Sequence, residues 1–590
     1  MVKRKYVAIL ISCIILSSVF AISSVQAQQN YFFSVHAYVA AVRTPWLEYI
    51  KPALAEIGID LIIDTVDYSV WYSIWSEKTE VYDKGGWDTG LDMCWLAPVP
   101  GDPDMTNMYH TKSAPPAGYN YARWSNGKVD KLLEDGVSTM NRTKRKETYN
   151  ELYEILADEL LPIPLLAEKG YYLYSSDLTD VEKHAAWQSE WGDSDYTCLR
   201  AMWLGSKTGK KTFVHTNYYG MAGCLPQSDW VEVPSATFGW LLQRYPPEFE
   251  LQPGLAESWE ISTDGLTYTY HLRNDVVWSD GVPFTSADVK FTFESLMNPD
   301  FPTPFTWAVK YIDYTEAPND YTFILHAKEL NALLFEAIST VAMYSKHTLE
   351  SVPIAEWKES DYNIKGLHPS LGPLKIVDCV LEDHCDFVPN EYFYHWGETV
   401  HGWTYPTFDE YPWETVIFKK VPESAAALMG VEAGEIQAAS WWYRFSSEKD
   451  AIETNPKLVG QAVETGLIQG LYINPQCPSL NNKYVRQAIS YAINRQGLID
   501  TLFNGLGTPT FLAILPDNWG WPEAFEDEFL YSYDLDKAKE SMEKAGFNYE
   551  WIAPEAGEVP YYLYGGIFIG ALVIGVVIGY GISAIRRRES

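Results

Sequence analysis

The stretch from Leu251 to Phe301 constrains the fold of this 590-residue chain more than any other. Ala256–Ile261 and Leu266–Leu272 are two segments of strand character, rich in aromatic and branched residues. Between them Ser262-Thr263-Asp264-Gly265 offers the Asp and Gly that a tight turn with positive φ requires. Trp278-Ser279-Asp280-Gly281 predicts a second turn. Thr285-Ser286-Ala287-Asp288 then predicts a helix start, with Thr285 or Ser286 as N-cap and Asp288 completing a capping box. The helix carries Val289, Phe291 and Phe293 into Leu296 and stops before Asn298-Pro299. The unit is a hairpin, a turn and a capped helix.

These pieces come with Pro253-Gly254-Leu255-Ala256-Glu257-Ser258-Trp259, Leu272-Arg273, Trp278-Ser279-Asp280-Gly281 and Phe284-Thr285-Ser286-Ala287-Asp288-Val289. In that order they resemble the family 5 extracellular solute-binding proteins, the peptide-, nickel- and oligosaccharide-binding components of ABC importers. The resemblance implies an α/β fold that is two-lobed and periplasmic-binding-protein-like (type II), with a hinge. It implies no enzymatic activity and no cofactor.

The rest of the chain carries the same likeness in an altered order. From about Lys211 to Phe547 come segments similar to the beginning and middle of the family, including Gly372-Pro373, Ala433-Gly434-Glu435-Ile436 and Tyr484-Val485-Arg486-Gln487-Ala488. They end at Ala545-Gly546-Phe547, where the family's last domain begins. That last domain is instead similar to residues 31 to about 200, through Ala55-Glu56-Ile57-Gly58-Ile59, Asp102-Pro103-Asp104, Asn120-Tyr121 and Leu161-Pro162-Ile163-Pro164. There helices and strands alternate, as in an α/β lobe. A circular permutation accounts for the order, with Phe547 rejoining residue 31. A partial duplication, or two chains exchanging lobes, is the rival.

The ends have their own signatures. Residues 1–27 read as a secretory signal: Lys3, Arg4 and Lys5, an apolar run from Val7 to Ala21, and a small-residue cleavage site at Val25-Gln26-Ala27. Residues 28–205 are the lobe placed first, and 206–548 the beginning and middle parts. A stalk (549–560) leads to Tyr561–Ile585, uncharged and long enough to span a bilayer. Arg586, Arg587 and Arg588 in the tail 586–590 put that tail in the cytoplasm and the remainder at the cell surface. A net charge of -34 disfavours nucleic acid as a partner.

Of the seven cysteines, Cys13 falls in the signal. An exported chain permits disulfides among the others. Cys379 and Cys385 flank Glu382-Asp383-His384, as a hairpin cross-link would, and Cys198 and Cys224 flank the polar linker 206–211. Cys94 and Cys477 would then bridge the two units; buried thiols are the alternative. His384, His395 and His401 match no zinc spacing, so no metal is expected. Asn141-Arg142-Thr143 is a glycosylation sequon and equally a helix cap.

In relatives of the resembled family the ligand lies in the cleft between lobes. Asp102-Pro103-Asp104 matches a loop that in peptide-binding relatives carries an acid for the ligand's amino terminus. As turn chemistry the tripeptide reads equally well. Ser440-Trp441-Trp442-Tyr443-Arg444 matches a position that faces the cleft. Trp441, Trp442 and Tyr443 would stack on a sugar or a peptide side chain, and Arg444 would meet a carboxylate; one of the two tryptophans is equally readable as core. Trp95 and Tyr218 complete the set. The expectation is a membrane-anchored protein that captures peptides, or oligosaccharides, and delivers them to ABC permease subunits. A non-transporting surface receptor or scaffold is the alternative, and a glycan-acting enzyme stands third.

Overall fold

Segments rich in branched and aromatic residues pair into one large sheet of eleven strands among the described residues. In chain order these are β1 (Phe33–Ala40), β2 (Ile59–Val66), β3 (Thr89–Cys94), β4 (Ile163–Ser175), β5 (Thr212–Asn217), β6 (Leu374–Val380), β7 (His384–Pro389), β8 (Thr415–Lys420), β9 (Ala438–Ala439), β10 (Leu458–Ile473) and β11 (Gly507–Pro509). The spatial order is β6-β7-β8-β5-β9-β4-β10-β3-β1-β2, with β11 also on β4. The computed structural model describes residues 30–551 except 79, 95–101, 182–200, 218–220, 222, 227–235, 245–250, 302–308, 340, 401–402, 441–442, 444, 516–517 and 523–530. It gives backbone alone at 42, 68–69, 91–94, 244, 403, 464–466 and 551. The signal segment and Tyr561–Ile585 lie outside the described residues. Among the described residues no helix is long and apolar enough to cross a membrane.

Two half-sheets flank the central pair. On one side β3, β1 and β2 run parallel, with helices Thr44–Glu56 and Tyr68–Glu77 as crossovers. On the other, β9, β5 and β8 run parallel and β7 and β6 close the edge antiparallel. The central strands β4 and β10 are antiparallel and join the halves between them, β4 pairing with β9 and β10 with β3. Only the start of β4 is legible in the sequence, and β10 is not.

The two units share a core. Val35, Leu47 and Ile59 from the first pack in one apolar cluster with Val431, Val485 and Leu498 from the second. Arg486, 2% exposed, reaches across to the carboxylate of Glu159 at 2.6 Å. The Phe547 ring stands 5.0 Å from that of Phe32, and the Tyr549 hydroxyl donates to the Ile57 carbonyl at 3.2 Å. Residues 547 and 32, at opposite ends of the described chain, are therefore neighbours.

The hairpin of the opening stretch joins a second hairpin in a separate four-stranded antiparallel sheet, in the order Ile312–Asn319, Thr322–Ala327, Thr267–Leu272, Ala256–Ile261. Helix Ser286–Leu296 covers it, burying Val289 and Phe293 against Tyr270 and Phe323. The capping box is present: Thr285 N–H donates to Asp288 Oδ2 at 2.9 Å. Gly265 takes φ +71° in the hairpin turn.

Candidate functional site

Strand direction and register place a gap at the centre of the large sheet. Strand β3 ends where Cys94 pairs with Ile468, which in turn pairs with Ala167. From the opposite side β9 ends where Ala439 pairs with Leu173, with Thr216 of β5 alongside. Between those rows, Lys169–Tyr172 of β4 runs with β10 alone among the described residues. Four residues of strand span roughly 13 Å. Across that gap the carboxyl ends of β3 and of β5 and β9 face each other. Ligands of open α/β sheets bind in the crevice outside the carboxyl ends of strands. The register of β10 on β4 shifts at the same place, between Glu464 and Ile468. Such an irregularity bends a strand.

The aromatic candidates fall beside this gap in sequence. Trp95 follows the last residue of β3 and Tyr218 the last residue of β5, while Trp441 and Trp442 come two and three residues after β9. These four, with Arg444, lie outside the described residues. Tyr443 is described, and its reading as a stacking surface is corrected. It is buried in the shared core, with its ring on Phe445. Its hydroxyl donates to the Val421 carbonyl at 2.7 Å and sits 2.9 Å from Thr216 Oγ1.

The Asp102-Pro103-Asp104 loop is a clamp on helix Arg142–Glu159. Nη2 of Arg145 donates to both oxygens of Asp102, at 2.8 and 2.7 Å, and Nε donates to the Gly136 carbonyl at 2.7 Å. Both side chains are under a tenth exposed. Burial pushes the Asp102 carboxyl up from its ordinary value, and the guanidinium works against that shift. A ligand ammonium would have to displace Arg145, so the ligand reading of Asp102 is corrected. Asp104 is wholly buried and accepts from Thr106 N–H at 3.1 Å and Thr106 Oγ1 at 2.7 Å, starting the short helix Thr106–Tyr109. Burial first, then the Asp102 charge, pushes its carboxyl up to about 7. Asp104 also borders a cavity of about 550 Å³ between residues 104–138 and 310–333, which include Asn107, Glu134, Lys310 and Asn331. The cavity's two walls meet where Ala332 N–H donates to the Val137 carbonyl at 2.7 Å.

The remaining candidates separate cleanly. A disulfide joins Cys379 and Cys385 across the β6–β7 pair. Cys224 Sγ lies 3.4 Å from Cys379 Sγ; Cys198 is outside the described residues. A Cys94–Cys477 bridge is corrected by register. Cys94 is in the row of Ile468 and Thr89 in that of Ile473, with Cys477 further along the chain. The five-residue run from Cys94 to Thr89 alone covers roughly 17 Å, far beyond disulfide reach. Cys477 is a buried thiol, pushed up by burial and by the nearby Asp88. Asn141 is exposed and its Oδ1 accepts from Lys144 N–H at 3.1 Å, capping helix Arg142–Glu159.

Sequence reading missed two polar residues at the edge of the gap. Glu168 is 3% exposed, and its Oε2 accepts from Gln469 Nε2 at 3.0 Å; Gln469 is fully buried. An acid next to Lys169 inside an apolar strand was the available signal.

A mixed sheet whose two parallel halves face each other across a central antiparallel pair defines a mixed α/β, periplasmic-binding-protein-like fold. The family profile described as bacterial extracellular solute-binding proteins, family 5 middle, matches residues 250–556, just over half of the chain. The chain belongs to that family. A Brucella ovis protein named for ABC-transporter peptide binding is 28% identical over 294 residues, 50% of this chain and 52% of that protein. The dipeptide-binding protein of Escherichia coli is 28% identical over 320 residues, 50% of this chain and 55% of its own. The chain thus spans about half the length of the curated relatives it matches. Among solved structures, the oligopeptide-binding protein AppA of Bacillus subtilis in complex with a nonapeptide is 20% identical. Its match covers 57% of this chain and 64% of that one, at a TM-score of 0.45.

Proposed function

We propose that this chain is the solute-binding component of an ABC importer that captures peptides between its two half-sheets. In this reading it is exported by its N-terminal signal, held at the cell surface by Tyr561–Ile585, and hands its ligand to permease subunits. The observation that carries the reading is the gap over Lys169–Tyr172, with strand carboxyl ends on both sides and two strands crossing it. Two crossing strands with a register shift at the crossing are a hinge, and hinge closure around a ligand needs only a few residues to change φ and ψ. Trp95, Tyr218, Trp441 and Trp442 supply apolar faces for side chains. The same four aromatics favour oligosaccharide as the second ligand class, because sugar rings stack on them equally well. The unusual order of segments is a circular permutation in this reading, since Phe547 and Phe32 lie side by side.

Native mass spectrometry of the ectodomain, Gln28 to Glu558, purified without refolding, tests the proposal. A retained series of amino-acid masses is expected. A series spaced by hexose moves the assignment to oligosaccharides. A protein that stays empty across peptide and glycan pools overturns transport and favours a surface scaffold.

A further inference from the structure

Three sulfur atoms that the gap does not use meet at the β6 edge of the large sheet. Cys379 of β6 and Cys385 of β7 are register partners and share the disulfide. Cys224 carries a thiol, and its Sγ stands 3.4 Å from that of Cys379. The three Sγ atoms lie within 4.8 Å of one another, in residues that are all under a tenth exposed. Backbone contacts hold Cys224 at this place from two sides. Its N–H donates to Asn363 Oδ1 at 3.0 Å, with the Leu225 N–H on the same oxygen at 2.9 Å. The Glu382 N–H, in the turn between β6 and β7, donates to the Met221 carbonyl at 3.2 Å. A thiol fixed this close to a disulfide, inside one apolar cluster, can react with it without any outside oxidant or reductant, by exchange.

We propose that Cys224, Cys379 and Cys385 form an exchange centre in which one disulfide alternates between two pairings. The Cys224 thiolate attacks Cys379 Sγ. The Cys224–Cys379 bond forms as the Cys379–Cys385 bond breaks, and its electron pair leaves on Cys385 Sγ, which takes up the proton that Cys224 gave up. Nothing is oxidised or reduced overall. The two pairings tie the chain differently. Cys379 and Cys385 are six residues apart in one hairpin, whereas Cys224 and Cys379 are 155 apart and enclose the whole four-stranded sheet with its helix. Cys224 also stands at the border of two cores: it belongs to the cluster at the large sheet's edge, and Leu225 to that of the small sheet. The second pairing therefore pins the small-sheet unit to the edge of the large sheet, and the first leaves that border without a cross-link.

The test maps disulfides in the full chain, purified without reductant and incubated without added oxidant. Thiols are trapped with N-ethylmaleimide during unfolding, before peptic digestion and mass spectrometry. Cys379 is expected in a disulfide throughout, with Cys224 alkylated in most chains and Cys385 alkylated in about a tenth of them or more. The Cys385→Ser variant, treated with oxidised glutathione, should close a Cys224–Cys379 bond with release of two glutathione thiols. It should then melt above the same variant kept reduced, because a cross-link over a long loop restricts the unfolded chain more. A parent whose Cys379 stays with Cys385 alone, or whose Cys224 is joined to Cys198, overturns the proposal. So does a folded Cys385→Ser variant that fails to close or closes with no rise in melting temperature. The mapping of the parent decides by itself if that variant does not fold.

Discussion

Asp104 illustrates how one residue's surroundings rewrite its chemistry. In the sequence it is an acid on a loop with a match in peptide binders; in the structure it is sealed under helix Arg142–Glu159 and accepts from Thr106 at the start of a short helix. Its carboxyl is pushed from an ordinary 3.8 up to about 7. Between those values the folded state holds a proton that the unfolded chain has released, so the Asp104 contribution to stability falls as pH rises through that window. Asp104→Asn should flatten this fall, gaining on the parent from pH 4 toward pH 8 in urea midpoints. Parallel pH profiles for parent and variant would show that burial does not control this carboxyl. Asp102 differs because Arg145 answers it: stranding one member of such a buried pair costs about 3–5 kcal/mol.

At the scale of elements, the caps and the long strands behave differently. Helix Ser286–Leu296 is specified locally, by a capping box and by Val289 and Phe293 at positions that meet the small sheet. Asp288 does more than cap, because its Oδ1 also accepts from Lys346 N–H at 2.9 Å and ties the short helix Lys346–Leu349 to this one. Thr285→Ala is expected to cost about 1 kcal/mol, the usual value of an N-cap side chain. Asp288→Ala should cost more, since two backbone donors then lose an acceptor. Urea denaturation of both variants checks the ranking, and equal losses would mean that the Lys346 contact contributes nothing. The strand β10 has no comparable local signal. Gly460, Gly466 and Gly470 interrupt Leu458–Ile473, and glycine weakens intrinsic strand preference. Its conformation comes from pairing with β4 on one side and β3 on the other.

At the scale of the whole molecule, the chain closes on itself. Phe32, Phe33, Phe547 and Tyr549 pack together, so the start and end of the described chain meet on the first unit. The polar linker 206–211 joins the units elsewhere, held to Asp177 through Ser206, Lys207 and Thr208. Chains tolerate new ends at exposed sites and closure where old ends are near. A chain reopened between Lys207 and Lys210, with residue 551 joined to residue 30 through a short polar linker, is therefore expected to fold with a melting temperature within a few degrees of the parent. A reopened chain that stays unfolded would mean that the present order of segments is required for assembly.

Much of the local architecture was legible without coordinates, because its causes are local. Tyr149, Leu152, Tyr153 and Leu156 sit at helical spacing and are all buried on one face of helix Arg142–Glu159. The sequence by itself also carried the family likeness and its reversed order, since both reside in short contiguous motifs. It also singled out Trp95, Tyr218, Trp441 and Trp442 as candidates, and only the structure puts them within three residues of the ends of β3, β5 and β9. What needed the tertiary structure was every question of partnership. Whether Asp102 answers a ligand or Arg145, whether Tyr443 faces a cleft or a core, and whether Cys94 can reach Cys477 depend on contacts and registers between distant segments. The gap itself belongs to this second kind, because it exists only where β4 and β10 run together beyond the ends of their other neighbours, and no single segment encodes where a neighbour stops.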